Sequence, residues 1–493
     1  MPSEAKGGAD MTPFPSPLLR IRDIVHFTNG TLVQGRPERT VLGISTDSRV
    51  LAAGNLFIPL AGPRFNGHDF LTKAVSLGAE ALMTERHRRH AVPALPGDIP
   101  WIEVSDTLKA LGDIAHGWRK RMNCRVVAVT GSAGKTTTKE MIAAIGSLNG
   151  KILKTEGNLN NLIGLPLTLL GLREETELAI VELGTSGPGE IARLAGLAEP
   201  DIGVITNIGP AHLEGLGSVV SVREEKGKLF SVMNHRGVAI LNLDDPEIAV
   251  LRDRWRGEQM TFSMSVPADI TAENIRQVKN WKTAFRINIQ GVKNGVVLSV
   301  PGRHNVQNAL AAAAAASAAG CAPSLICRGL NGFRPIAGRM EIEPLANGAH
   351  LIHDAYNANP LSVDEALKTL TELSRTGRRI VVFGDMLELG NQAVAYHKEI
   401  GHRIGELGIY ALFLKGAYSR VTAEAAEASG LDKNHIFFFD GNAKAIPALR
   451  ETVSRGDWIL LKGSRKMNLE ELIPEIRLFG KPGNLSNENS KGV

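Results

Sequence analysis

RVVAVTGSAGKTTTKE, residues Arg125 to Glu140, is the stretch on which the fold turns. Val126 to Val129 is a short, almost wholly apolar run rich in β-branched residues, which reads as a buried strand. Gly131 and Gly134 let the backbone turn tightly and approach a ligand with no Cβ in the way. Lys135 adds a cation, Thr136 and Thr137 add hydroxyls, and TTKEMIAAI continues as a helix. Backbone N–H groups at a helix N-terminus, with a lysine beside them, form a cradle for phosphate. Here that cradle is Gly131, Ser132, Ala133, Gly134, Lys135, Thr136 and Thr137. Thr136 stands where a P-loop hydroxyl meets Mg²⁺. The loop is the short form G-x-x-G-K-T-T, with Val129 at the place of the longer motif's first glycine. A glycine-rich turn without a ligand is the plainer alternative. The order strand, glycines, Lys, Thr, helix weighs against it.

The bulk numbers set the frame. A chain of 493 residues has room for about three domains. Hydrophobic content of 43% and charged content of 22% are those of an ordinary globular protein. The net charge of +5 is dispersed, with no long Lys/Arg block, so nucleic acid is not implied. A mildly positive surface does suit anionic substrates such as nucleotides. Cys124, Cys321 and Cys327 show no metal spacing and fit a reducing, cytoplasmic setting. The N-terminus has no apolar signal core, and no apolar run approaches the roughly 20 residues of a membrane span.

In chain order, residues 1–17 read as a disordered lead. A small α/β region follows, with the polar cluster Thr46, Asp47, Ser48, Arg49 after the apolar run Val41–Ile44. Such a loop carries binding groups or is a solvated turn. Past the P-loop, Asn158, Asn160 and Asn161 are turn-formers or ligand contacts in an apolar context. Leu178 to Val181 is a strand ending at Glu182, where a Mg²⁺ ligand beside a P-loop would sit. A further strand runs out to Asn207 and His212. Arg223 to Lys228 lies on a helix whose lysines would ordinarily be solvated. The β-then-helix rhythm argues a parallel doubly wound sheet. Residues 269–300 switch to short alternating segments, read as antiparallel hairpins, before an alanine-rich helix opened by His304, Asn305 and Asn308. Arg334 to Ile342 marks a boundary, with Pro335 and Gly338 as breakers. The last third repeats an α/β rhythm of Rossmann type, and a polar tail begins near Lys481.

TGSAGKTTTKE, EGNLNNLIGLPLT, VELGTSGPGEI, GPAHLEGLGS, GRHNVQNALAA, GRME, DAYNANPLS, GDMLELG and LKGSR resemble, in that order, the Mur ligases of peptidoglycan synthesis. The resemblance runs from about residue 20 to 475. DAYNANP, Asp354 to Pro360, with GDMLELG, Gly384 to Gly390, resembles the branch that adds D-alanyl-D-alanine. The DYAHTP-like stretch and Asn-Pro-Arg motif of the branch adding the third peptide residue are missing. Thr185-Ser186-Gly187 stands where the family often has Ala-Asn-His, and Asn66 replaces a common Asp. Folylpolyglutamate synthase, of the same superfamily, is a rival that lacks the STDSR and GHDF loops. A P-loop nucleotide switch is a second rival, without support from any Asn-Lys-x-Asp motif.

The resemblance implies three α/β domains: residues 18–110 for the UDP-sugar, 111–337 for ATP, and a Rossmann-like ligase domain over 338–480, with a disordered tail at 481–493. It implies a monomeric, cytoplasmic, ATP-dependent ligase that uses Mg²⁺ and joins D-alanyl-D-alanine to UDP-MurNAc-tripeptide. By similarity, Lys135 neutralises the transferring phosphate, Thr136 and Glu182 hold one Mg²⁺, and His212 with a carbamylated Lys226 holds a second. Asn308, Arg339, Asp354 and Asn357 resemble further ATP-binding positions. Thr46, Asp47, Ser48 and Arg49, with Gly67 and His68, resemble the loops that hold the UDP-sugar. Asn158, Lys462 and Ser464 fall at substrate-contact positions, the last two on the peptide side.

Overall fold

Residues 18–62 and 65–481 are described by a computed structural model. The expected lead at 1–17 and the tail past Lys481 lie outside the described residues. The first domain carries a five-stranded sheet of β1 (Thr31–Gln34), β2 (Gly43–Ser45), β3 (Asn55–Phe57), β4 (Ala81–Glu85) and β5 (Trp101–Val104), in the order β1-β5-β4-β3-β2. Only the β1–β5 pair is antiparallel. Asp106 then caps α1 (Thr107–Arg119), accepting the Lys109 N–H at 2.7 Å. This helix is continuous across the expected boundary at residue 110. It serves both neighbours: a Cβ on Gly112 would come within 3.1 Å of Leu197, and the Trp118 indole N–H donates to the Leu172 carbonyl.

The central domain is built on β6 (Arg125–Thr130), whose Val126 to Val129 are fully buried as the apolar run requires. After it come α2 (Lys135–Gly146), β7 (Ile152–Lys154), β8 (Leu178–Glu182), α3 (Glu190–Ala198), β9 (Ile202–Ile205), α4 (Leu213–Leu216), α5 (Val219–Val232), β10 (Val238–Asn242) and β11 (Glu258–Ser263). Strands β12 (Ile270–Gln277), β13 (Thr283–Ile289) and β14 (Val292–Leu298) are the expected antiparallel segments. They are not a separate layer: β12 pairs with β11, so all nine strands form one sheet in the order β7-β8-β6-β9-β10-β11-β12-β13-β14. The alanine-rich helix α6 (Arg303–Ala318) buries Ala309 and Ala311 to Ala316 completely or nearly so. Side chains that small let its backbone lie close against its neighbours in the core.

The third domain has β15 (Glu341–Pro344), β16 (His350–Asp354), α7 (Pro360–Leu373), β17 (Arg379–Gly384), α8 (Ala393–Glu406), β18 (Ala411–Lys415), β19 (Ile436–Phe438) and β20 (Trp458–Lys462). Its six-stranded sheet, in the order β15-β16-β20-β17-β18-β19, is parallel except at its β15 edge. Strand β19, three residues long, gives too short a pattern to be read from sequence. Loops at the C-terminal ends of β6, β8 and β9 face loops leaving β16 and β20, and a cleft of about 760 Å³ lies between the domains. Ligands of open α/β sheets bind at such strand ends.

Candidate active site

The P-loop geometry explains its glycines. Gly131 has φ +151° and Gly134 has φ +80°, and a Cβ on either would collide, with Thr206 Oγ1 at 1.9 Å and Asn308 Oδ1 at 2.3 Å. Asn207 braces the turn by accepting the Ser132 N–H on its carbonyl and the Ala133 N–H on its side-chain oxygen. The first turn of α2 has N–H groups without intrahelical partners, and Lys135, Thr136 and Thr137 sit there on the cleft wall. The Lys135 ammonium donates to the Gly131 carbonyl at 2.7 Å, and burial pulls its pKa below the usual lysine range.

Thr136 is the junction of the two domains. Its hydroxyl donates to Glu182 Oε2 at 2.8 Å, and Arg339, from the third domain, donates to that same hydroxyl oxygen at 2.8 Å. The other Glu182 oxygen accepts from Asn160 at 2.8 Å. Arg339 lies over the Tyr356 ring at 4.2 Å, and its buried Nε has no partner. A second bridge runs from Asn359 Nδ2 to the Ser132 carbonyl at 3.0 Å. Asp354, at the end of β16, accepts the Met340 N–H and pairs with Lys462 at 2.6 Å. Lys462 also donates to the Asn357 carbonyl at 2.9 Å. Asn308 is buried in the first turns of α6, held by Asn305.

Lys226 departs from the solvated-lysine pattern of its helix. Its side chain is fully buried and Nζ has no hydrogen-bond partner, whereas Lys228, two residues on, is exposed. Burial first, and then repulsion from Lys135, drives its pKa far below the usual lysine value. A buried amine with no hydrogen-bond partner is chemically unfinished. His212 lines the cleft, with Nδ1 2.5 Å from Glu388 of the third domain. The donor set suits Mg²⁺, which favours hard oxygens and keeps waters and phosphate oxygens around few protein ligands. Thr136 Oγ1 and Glu182 provide such oxygens side by side, and the unpartnered Lys226 amine would provide another if carboxylated.

Comparison with known proteins decides the family. Residues 40–119 match the domain described as Mur ligase family, catalytic domain; 129–316 match the Mur ligase middle domain; 338–465 match the Mur ligase, glutamate ligase domain. The chain belongs to the Mur ligase family. The UDP-N-acetylmuramoyl-tripeptide–D-alanyl-D-alanine ligase of Escherichia coli (strain K12) is 38% identical to it, covering 94% of this chain and 98% of that one. The enzyme of the same name from Bacillus subtilis (strain 168) is 37% identical, covering 92% and 98%. A crystal structure of MurF from Acinetobacter baumannii superposes with a TM-score of 0.86 at 30% identity, covering 94% and 99%.

Within this Mur ligase, the cleft unites Ser132 to Thr137, Glu182, His212, Asn308, Arg339, Asp354, Asn357 and Lys462. Lys226 lies buried, and Thr46, Asp47, Ser48, Arg49, Gly67, His68, Asn158 and Ser464 do not line it. In the first domain Asp47 pairs with the exposed Arg49 at 2.5 Å. Gly67 sits where a Cβ would meet the Leu60 backbone at 2.6 Å. The His68 ring is occupied by the protein itself: Nε2 accepts the Glu85 N–H and Nδ1 contacts Asn66, while burial lowers its pKa. Ser464 accepts the Leu387 N–H at 2.9 Å and so holds the GDMLELG loop. Asn158 is exposed; Asn160, two residues on, reaches the site. Asn160, left from sequence between turn-former and ligand contact, proves to hold Glu182, while Tyr356 and Asn359 on the cleft wall, and Glu388 behind His212, were not assigned a site role from sequence. Spacing from Glu182 could not single out Asn160 among three nearby asparagines.

Proposed function

We propose that this Mur ligase joins D-alanyl-D-alanine to UDP-MurNAc-tripeptide with ATP, making the pentapeptide precursor of peptidoglycan. The observation that carries the reading is Thr136 of the P-loop held between Glu182 of its own domain and Arg339 of the next. A nucleotide switch has no need of a second domain closing on its phosphate loop. Folylpolyglutamate synthase shares the fold, but its similarity to this chain is 15% in sequence.

A carboxylate is a poor electrophile, so the tripeptide's terminal carboxylate first takes the γ-phosphoryl group. One carboxylate oxygen bonds to phosphorus as the bond to ADP breaks. The dipeptide's free amine then attacks the acyl carbon, a proton leaves the nitrogen, and phosphate departs. Phosphoryl transfer is chiefly positioning and charge neutralisation. In the proposed division of labour, residues 131–137 hold the β- and γ-phosphates and Lys135 meets the charge on the transferred group. Asn308 holds the nucleotide from beside the P-loop, and Arg339, Asp354 and Asn357 hold it from the other wall. Thr136 and Glu182 would hold one Mg²⁺, and His212 with a carbamylated Lys226 the second. When bound, Mg²⁺ supplies further neutralisation of phosphate charge. Lys462 orients Asp354, Lys462 and Ser464 serve the peptide side, and Asn158 is a further substrate contact. The loops at Thr46–Arg49 and Gly67–His68 take the UDP end; with the His68 ring occupied, that turn contributes backbone and shape. Closure excludes water from the labile acyl phosphate.

We place the enzyme in the cytoplasm as a monomer, of residues 18–110, 111–337 and 338–480. Among the described residues no helix is long and apolar enough to cross a membrane. The test is phosphate release from ATP with UDP-MurNAc-tripeptide, with and without D-alanyl-D-alanine. Release that requires the dipeptide supports the reading; release indifferent to it overturns the reading.

A further inference from the structure

The loop after β9 and the GDMLELG loop of the third domain meet in a compact clasp at the edge of the cleft, where Glu388 also faces Lys135 of the P-loop. Four contacts make it. His212 Nδ1 lies 2.5 Å from Glu388 Oε2. The Glu214 N–H donates to the Glu388 carbonyl at 2.9 Å. Gln392 donates to the Gly217 carbonyl at 2.9 Å. Gly390, at φ +55°, packs so closely that a Cβ there would be 3.1 Å from the Glu214 Cα. His212 and Glu388 both hold left-handed backbone, at φ +56° and +63°. Histidine enters this region more readily than most residues, but glutamate does not, and a position such as Glu388 persists where surrounding contacts impose it.

We propose that Glu388 is a positioning residue that fixes His212 across the domain boundary. An ionised carboxylate only accepts, so the ring nitrogen facing it carries the proton. With that proton fixed on Nδ1, Nε2 is the nitrogen through which the ring can offer a lone pair to a cation. His212 lines the cleft, so docking of the third domain would complete the central domain's cation subsite. Assembly of the site would thereby be tied to closure through one hydrogen bond. This rests on the proposed role of His212 at the cation site.

The experiment uses the full-length enzyme and the variants Glu388→Ala, Glu388→Gln and Gln392→Ala. Two quantities are read: the Mg²⁺ concentration at half-maximal turnover, and the His212 tautomer from ¹⁵N spectra of the metal-free protein. The His212 signal is assigned by its loss in His212→Gln. Outer partners of metal-binding histidines are worth about 10- to 100-fold in metal affinity. Glu388→Ala should raise the half-maximal Mg²⁺ by about that factor and release the ring from its single Nδ1–H tautomer. Glu388→Gln, which keeps an oxygen acceptor, should fall between. Gln392→Ala removes a neighbouring contact of the same clasp and should leave the tautomer as in wild type. Both shifts in Glu388→Ala support the proposal. An unchanged tautomer, an unchanged Mg²⁺ requirement, or a Gln392→Ala tautomer equal to that of Glu388→Ala overturns it. Failure of the wild type to need D-alanyl-D-alanine would instead sink the functional reading, without bearing on the tautomer.

Discussion

Lys226 and Lys135 are the two residues on which the proposed chemistry leans most. A buried amine without a partner is costly unless neutral or modified. The field of a nearby cation favours the neutral amine, which can add CO₂ and lose a proton to give an anionic oxygen ligand. Lys226→Ala should therefore be nearly inactive in a folded protein, and short carboxylic acids should restore part of the rate. Wild-type turnover in that variant would refute the role. Lys135→Ala should lower kcat by two or more orders of magnitude, on the order of the loss of a key charge-stabilising donor, with an unchanged melting curve. His397 gives a pH prediction outside the site. Its buried ring accepts the Met386 N–H on Nε2 and contacts the Ala393 carbonyl through Nδ1, and burial lowers its pKa below 6.5. The unfolded chain then binds the proton first as pH falls, so stability is full above the unfolded value and declines below it. Melting at about pH 7.5 and about pH 5.5 should show a smaller acid loss for His397→Gln than for wild type. An equal loss in both would assign the acid sensitivity elsewhere.

Among the elements, some were plain in sequence and others were not. Strand β6, the P-loop and α2 were legible because a β-branched run, glycines and a helical run follow in unbroken order. The alanine run was legible as a tightly packed helix, and α6 buries it. Replacing Ala312, fully buried, by Leu should overpack the core and cost about 1–3 kcal/mol, seen as a lower melting temperature. An unchanged melt would mean that the core beside α6 has slack. Helix α5 was not legible in the same way. Its pattern does not distinguish the buried Lys226 from the exposed Lys228, because the difference comes from what packs against the helix. The segment 269–300 read as hairpins, but its attachment to the parallel sheet depends on the β11–β12 pairing, which leaves no local mark. Likewise Glu388 sits in a quoted motif, yet its partner His212 is 176 positions earlier.

At the scale of the whole molecule, the proposed function makes catalysis a property of the interface between domains. The cleft walls, to which we assign the nucleotide, come from two domains bridged by Arg339 to Thr136, Asn359 to Ser132 and Glu388 to His212. Binding of an ATP analogue with UDP-MurNAc-tripeptide should favour the closed arrangement, and solution scattering should record a smaller radius of gyration than with either ligand alone. A radius indifferent to both ligands would argue for a rigid cleft. The central claim is that the peptide carboxylate itself takes the phosphoryl group in that cleft. Its most direct test uses UDP-MurNAc-tripeptide labelled with ¹⁸O in the terminal carboxylate, together with ATP and D-alanyl-D-alanine. Mass spectrometry of the released phosphate should find one ¹⁸O per phosphate in step with the pentapeptide formed. Unlabelled phosphate accompanying pentapeptide would contradict the account.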